Sequence, residues 1–175
     1  MLPDPVHPAV VHFPLVLAFL LPISAVVALW AIRRGVAPVR AWAVPLAFAV
    51  GLAASAFVSL RTGEAEEERV ENIVGEQALH AHEEAAERFL ALSGVLVLVA
   101  AAGLLGGTPG RAARIVASAA SLVVLAAAVQ VGAAGGALVY EHGAAEAYVD
   151  GSARVGLTTA ADRAGDHERE EDEHR

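Results

Sequence analysis

The chain has 175 residues, of which 56% are hydrophobic, and its mean hydropathy of +0.54 is too high for an ordinary soluble domain of this size. The net charge is −8 and there is no basic cluster, which argues against nucleic acid as a partner. Cysteine and lysine are both absent, so disulfides, thiolate metal sites, covalent c-type haem and Schiff-base cofactors are excluded.

Four long apolar runs dominate the sequence, and each is free of Asp, Glu, Lys, Arg and His. They are Phe13–Ile32, Ala41–Leu60, Phe89–Gly110 and Ile115–Tyr140. Each reaches the roughly 20 residues that a helix needs to cross a bilayer. The first run follows Asp4 rather than a basic segment, so we do not expect a cleaved signal peptide. The pattern predicts an all-α integral membrane protein, an up-down four-helix bundle over residues 1–150.

The arginines predict the sidedness of the bundle. The first connection carries Arg33, Arg34 and Arg40, and the third carries Arg111 and Arg114, with no acid in either. Short basic loops remain in the cytoplasm. We therefore expect both termini, all acidic segments and the histidines near the helix ends to lie outside.

The second connection, residues 61–88, is acidic but has apolar residues at helical spacing: Val70, Ile73, Val74 and Leu79. This spacing predicts an extra outer amphipathic helix, interrupted near Gly75, whose second half continues into helix 3. On that second half His82 shares the apolar face, whereas His80 points elsewhere, among glutamates.

Helix 4 carries three glycines in its outer third, at positions 132, 135 and 136. Small residues at this spacing favour close helix packing, and the alternative is that they make room for a flat cofactor. Beyond the bundle, residues 151–175 are polar and acidic, and we expect them to be disordered.

Three motifs occur in order along the chain. They are His7-Pro8-x-x-Val11-His12-Phe13-Pro14, then Thr62-Gly63-x-Ala65-Glu66-Glu67 followed by His82-Glu83, and finally Gly135-Gly136-x-Leu138-Val139-Tyr140-x-His142-Gly143. Over residues 7–143 the chain resembles the four-helix bacterial membrane family catalogued as domain of unknown function 2231. The resemblance implies a multi-pass protein of the bacterial plasma (inner) membrane. Some relatives are fused to c-type cytochrome modules, which implies an electron-transfer setting with a c-type cytochrome or other respiratory subunit as partner.

The candidate site is the set of motif histidines, His7, His12, His82 and His142. Helices 1 and 3 are diagonal in an up-down bundle, so we expect His12 and His82 to face each other. Such pairs would ligate one or two haems b in an electron carrier.

Two other interpretations stay open. One is a Zn or Fe site built from His12, His82, His142, Glu66, Glu67 and Glu83. The other is a non-catalytic scaffold subunit, with oligomerisation possible. We see no nucleophile–base motif, so an electron carrier or structural subunit is expected rather than an enzyme.

The topology can be tested with an impermeant thiol reagent, because the chain has no cysteine of its own. In intact cells we expect Gly151→Cys to be labelled and Arg34→Cys to be protected. The reverse pattern would contradict the sidedness derived from the arginines.

Overall fold

The computed structural model describes residues 7–148, and the helices of this region form one bundle. They are α1 (His7–Val10), α2 (His12–Arg33), α3 (Pro38–Glu64), α4 (Glu67–Val74), α5 (Glu76–Ala102) and α6 (Gly107–Tyr140), followed by a 3-10 helix (Ala144–Tyr148). The region contains no strand. The predicted tail at 151–175 lies outside the described residues.

Four helical segments are long and apolar enough to cross a membrane: His7–Arg33, Pro38–Glu64, Glu76–Ala102 and Gly107–Tyr140. This confirms the all-α architecture with four candidate spans. The first span comprises α1 and α2, and its helical assignment is interrupted only at Val11. Pro14 explains the interruption, because it has no N–H to donate to the Val10 carbonyl one turn earlier.

The four spans pack as a ring. α2 contacts α3 and α6, and α5 contacts the same two helices, so α2 and α5 are diagonal, as the up-down topology predicts. We call the end of the bundle with His7, Glu64, Glu76 and Tyr140 the histidine end, and the opposite end, with Arg33, Pro38, Ala102 and Gly107, the arginine end.

Small side chains let the helices approach closely. The buried core includes Ala18, Ala25, Ala49, Ala117 and Ala128, with a few larger residues between them. Ser93 and Ser121 are buried in the same core, and each hydroxyl donates to a carbonyl of its own helix. Membrane helices associate through such close contact, because lipid offers no hydrophobic driving force between them.

The connection between α3 and α5 differs in detail from the amphipathic helix expected. α4 has eight residues, and Gly75, with φ +82°, separates it from α5, a conformation that a residue with a side chain rarely adopts. α5 then runs unbroken from Glu76 into the bundle, as predicted. That α4 lies along a membrane surface stays a prediction.

The turn between α5 and α6 is short. Glycine and proline at 106–110 are typical of a loop, but α6 already begins at Gly107. Pro109 is tolerated there because the first turn of a helix needs no donor at that position.

At the arginine end, two side chains bind the C-terminal carbonyls of α5. Trp42 is fully buried and its Nε1 donates to the Ala100 carbonyl over 2.9 Å. The buried Arg114 donates to the Gly103 carbonyl. A Cβ atom at Gly103 would overlap the Trp42 indole, so this glycine is required by close packing.

We expect Gly103→Ala to lower the melting temperature in detergent, because the Trp42 ring must move and weaken its bond to Ala100. The cost of such overpacking is typically about 1–3 kcal/mol. Gly94→Ala on the same helix is the matched control, since a Cβ atom there meets nothing within 4 Å. Equal melting temperatures for the two variants would contradict the tight contact.

Candidate functional site

Two histidines meet at the histidine end of the bundle. His7 is the first residue of α1, and His82 lies one turn and a half into α5, on the diagonally opposite span. Their ring centroids are 6.5 Å apart and the ring planes are nearly perpendicular, at 84°. Both residues are half-buried. The diagonal pairing of spans therefore brings two imidazoles together at one end of the core.

The His7 ring is fixed by the end of α3. Its Nδ1 lies 2.9 Å from the Ser59 carbonyl and 3.2 Å from the Thr62 hydroxyl, and its backbone N–H donates to a Glu66 carboxylate oxygen at 3.3 Å. A carbonyl can only accept, so Nδ1 carries the proton and Nε2 is the nitrogen with a lone pair. A histidine that ligates a metal is usually oriented in this way, with its other ring nitrogen bonded to a carbonyl.

The His82 ring is held differently. It packs against α6, where a Cβ atom on Gly135 would come within 3.1 Å of the ring Cε1. Its Nδ1 is buried and has no hydrogen-bond partner. This nitrogen has lost its hydrogen bonds to water on burial and has gained none from the protein, which is unusual for a buried polar atom.

Glycines of two sequence motifs make room for the two rings. Gly63 leaves space for the His7 ring as Gly135 does for the His82 ring. A Cβ atom at Gly63 would lie 3.2 Å from the His7 Cε1. Gly132 and Gly136 differ, because a Cβ atom at either meets nothing within 4 Å. At Gly135, therefore, the absence of a side chain makes room for the His82 imidazole, and a flat cofactor beside these glycines stays a prediction.

The expected pairing of His12 with His82 is replaced by the pairing of His7 with His82. His12 is exposed on the outer side of its helix. It follows His7 by five positions, which corresponds to a rotation of about 140° around a helix. The two side chains therefore cannot both face the core. His142 is also exposed, just beyond the end of α6.

The carboxylates of the proposed metal set lie in two places. Glu66 contacts His7, whereas Glu67 and Glu83 contact each other on the outer side of α4 and α5. There His80 pairs with Glu83 at 3.6 Å and is 75% exposed, as its helical phase predicted. Among the side chains that the structure describes, no three His, Asp or Glu residues are placed to hold a metal ion.

Ser59 is a residue of the site that the sequence reasoning did not identify. Its carbonyl accepts from His7, and its hydroxyl oxygen is buried without a hydrogen-bond partner. The available signal was its spacing, because Ser59 lies three residues before Thr62 and hence on the same side of α3.

The difference between His82 and His80 can be measured. We expect His82→Ala to lower the free energy of unfolding in detergent by about 1–2 kcal/mol, because it removes a packed ring. His80→Ala should change it by less than about 0.5 kcal/mol, because an exposed side chain away from the core contributes little to stability. Equal effects on the thermal or denaturant transition would contradict the burial described here.

Comparison with protein-family models gives one match, to the family described as "Predicted membrane protein (DUF2231)", over residues 3–147. Comparisons with curated proteins and with solved structures gave no match. The matched region contains all four spans, the His7–His82 pair and the two glycines that accommodate its rings. The chain therefore belongs to the DUF2231 family of membrane proteins.

Proposed function

We propose that this protein is a haem-b-binding electron-transfer protein or subunit, with His7 and His82 as the ligands of the iron. The observation that carries the proposal concerns unsatisfied polar atoms. In the described part of the chain, two buried side-chain atoms lack a hydrogen-bond partner, the Ser59 hydroxyl oxygen and His82 Nδ1. Both residues contact His7. A polar group or metal ion bound beside His7 would account for both.

The separation of the two rings supports a shared metal centre. A metal–imidazole bond is about 2.0–2.1 Å long, so two imidazoles on opposite sides of one ion have ring centres on the order of 6 Å apart. The observed separation is 6.5 Å. His7 Nε2 and His82 Nδ1 are the ring nitrogens through which these residues would bind.

The number of protein ligands favours haem over a bare ion. A structural zinc site takes four ligands and a catalytic one at least three from the protein. The side chains that the structure describes include no such group of three. Haem iron requires only axial ligands, because the porphyrin supplies the other four nitrogens. When bound, haem supplies one-electron chemistry whose potential depends on its axial ligands and its burial.

The chain's own residues would orient and shield the centre. Ser59 and Glu66 fix the ring and backbone of His7, and Gly135 fixes the depth of His82 against α6. The apolar core below the rings, which begins with the buried Phe89, would exclude water.

The electron partner would bind at the histidine end, which we propose faces the outside of the plasma membrane. That surface is acidic, with Glu64, Glu71, Glu76, Glu84, Glu87 and Glu141 all exposed. A c-type cytochrome, or another respiratory subunit with a basic contact surface, would be complementary in charge.

The proximity of Glu66 to His7 favours one alternative, a Zn or Fe ion held by His7, His82 and this carboxylate. His and carboxylate ligands suit both metals. The ion would require the Glu66 carboxylate to turn from the His7 backbone N–H towards the two rings.

Without any bound group, the protein would be a scaffold subunit of a larger membrane complex.

The reduced-minus-oxidised visible spectrum of protein expressed with ample haem tests these possibilities. We expect sharp low-spin bands that are lost in His7→Ala and in His82→Ala. His12→Ala is the matched control, because His12 lies on the same span but is exposed, and it should keep the bands.

A metal analysis of the same samples separates the remaining outcomes. Stoichiometric zinc or iron without haem bands, lost in Glu66→Gln, would replace haem by the metal alternative. Neither haem nor metal in a folded protein would contradict both and leave the scaffold role.

A further inference from the structure

One face of α6 has no partner in the bundle. Its buried residues, Ala117, Ser121, Val124 and Ala128, face the core, and α5 and α2 are the spans it packs against. The opposite face of α6 is exposed along its length. In a membrane this face meets lipid or another protein.

Gln130 lies on that exposed face. It is ten residues before Tyr140, which places it about 15 Å below the histidine end, close to the middle of a hydrocarbon layer about 30 Å thick. Its amide makes no hydrogen bond to any residue between 7 and 148. A carboxamide in hydrocarbon without a partner is energetically costly, because lipid offers no group to replace the hydrogen bonds that water provides.

The residues around Gln130 repeat with alternating steps of three and four. The series is Val116, Ala119, Val123, Ala126, Gln130, Ala133, Ala137 and Tyr140, and every member is exposed except Ala137, which is half-buried. We call this series the α6 stripe. A seam with this spacing is the pattern of two helices packed in a coiled coil, and alanine once per heptad lets such helices approach closely in lipid.

We propose that the α6 stripe is the interface of a homodimer in the membrane, with the two Gln130 side chains hydrogen-bonded to each other. The carboxamide is both a donor and an acceptor, so it is complementary to its own copy across a two-fold axis, where each residue meets its equivalent. A single polar residue in an apolar seam also fixes the register of the two helices. Lipid tails cannot satisfy the amide, whereas a second α6 can.

The glycines of the same helix lie off the α6 stripe. Gly132 is two residues from Gln130, and two residues correspond to a rotation of about 160° in the shorter direction. The interface is therefore formed by the residues of the α6 stripe, and not by the Gly132–Gly136 pair. This difference supplies a control at the same depth.

Cysteine crosslinking in native membranes tests the proposal, because the chain has no cysteine. Ala133→Cys lies on the stripe, and Gly132→Cys is its neighbour at the same depth but off the stripe. We expect oxidation to convert Ala133→Cys into a dimer of twice the chain mass and to leave Gly132→Cys monomeric.

The role of the amide is tested by Gln130→Leu, which keeps the side chain large and suits lipid, so the monomer should still fold. We expect the dissociation constant of the dimer in liposomes, measured by energy transfer between labelled copies, to rise by on the order of tenfold. Gln130→Asn should retain most of the association. A monomeric Ala133→Cys, crosslinks to a different protein, or an unchanged constant in Gln130→Leu would each overturn the proposal.

Discussion

Polar groups inside this bundle have no water as a hydrogen-bond partner, so they must form their hydrogen bonds within the protein. Much of the structure depends on this constraint. Ser93 and Ser121 satisfy their hydroxyls on their own helices, and Trp42 and Arg114 bind carbonyls at the end of α5. In the described region this rule is broken at Ser59 and His82. Exceptions to a rule followed elsewhere in the same core are physically informative, because each costs the desolvation of an unpaired group.

The two ends of the bundle differ in the kind of side chain that packs against their glycines. At the arginine end, Trp42 fills the space beside Gly103, and the fit is rigid. At the histidine end, glycines also make room for rings, but those rings are imidazoles, and Nδ1 of His82 has no hydrogen-bond partner. A glycine opposite a ring thus accommodates an indole at one end of the bundle and imidazoles at the other.

Much of the architecture could be predicted from the sequence. Four uncharged runs gave the spans, and the helical phase of His80 and His82 separated an exposed ring from a half-buried one, because both depend on local periodicity. The pairing of His7 with His82 could not be predicted as well. Choosing between His7 and His12 required knowing which face of the first helix points inward, and that face is set by contact with α3 through Ser59 and Thr62. A run that is apolar on every side carries no such information.

The diagonal placement of α2 and α5 has a consequence for assembly. His7 enters the membrane region with the first span to be synthesised, and its first contacts, Ser59 and Thr62, arrive with the second. His82 arrives only with the third, and Gly135, against which it rests, with the fourth. The His7–His82 pair can therefore form only once the third span is present, and the packing of His82 against Gly135 only once the fourth is.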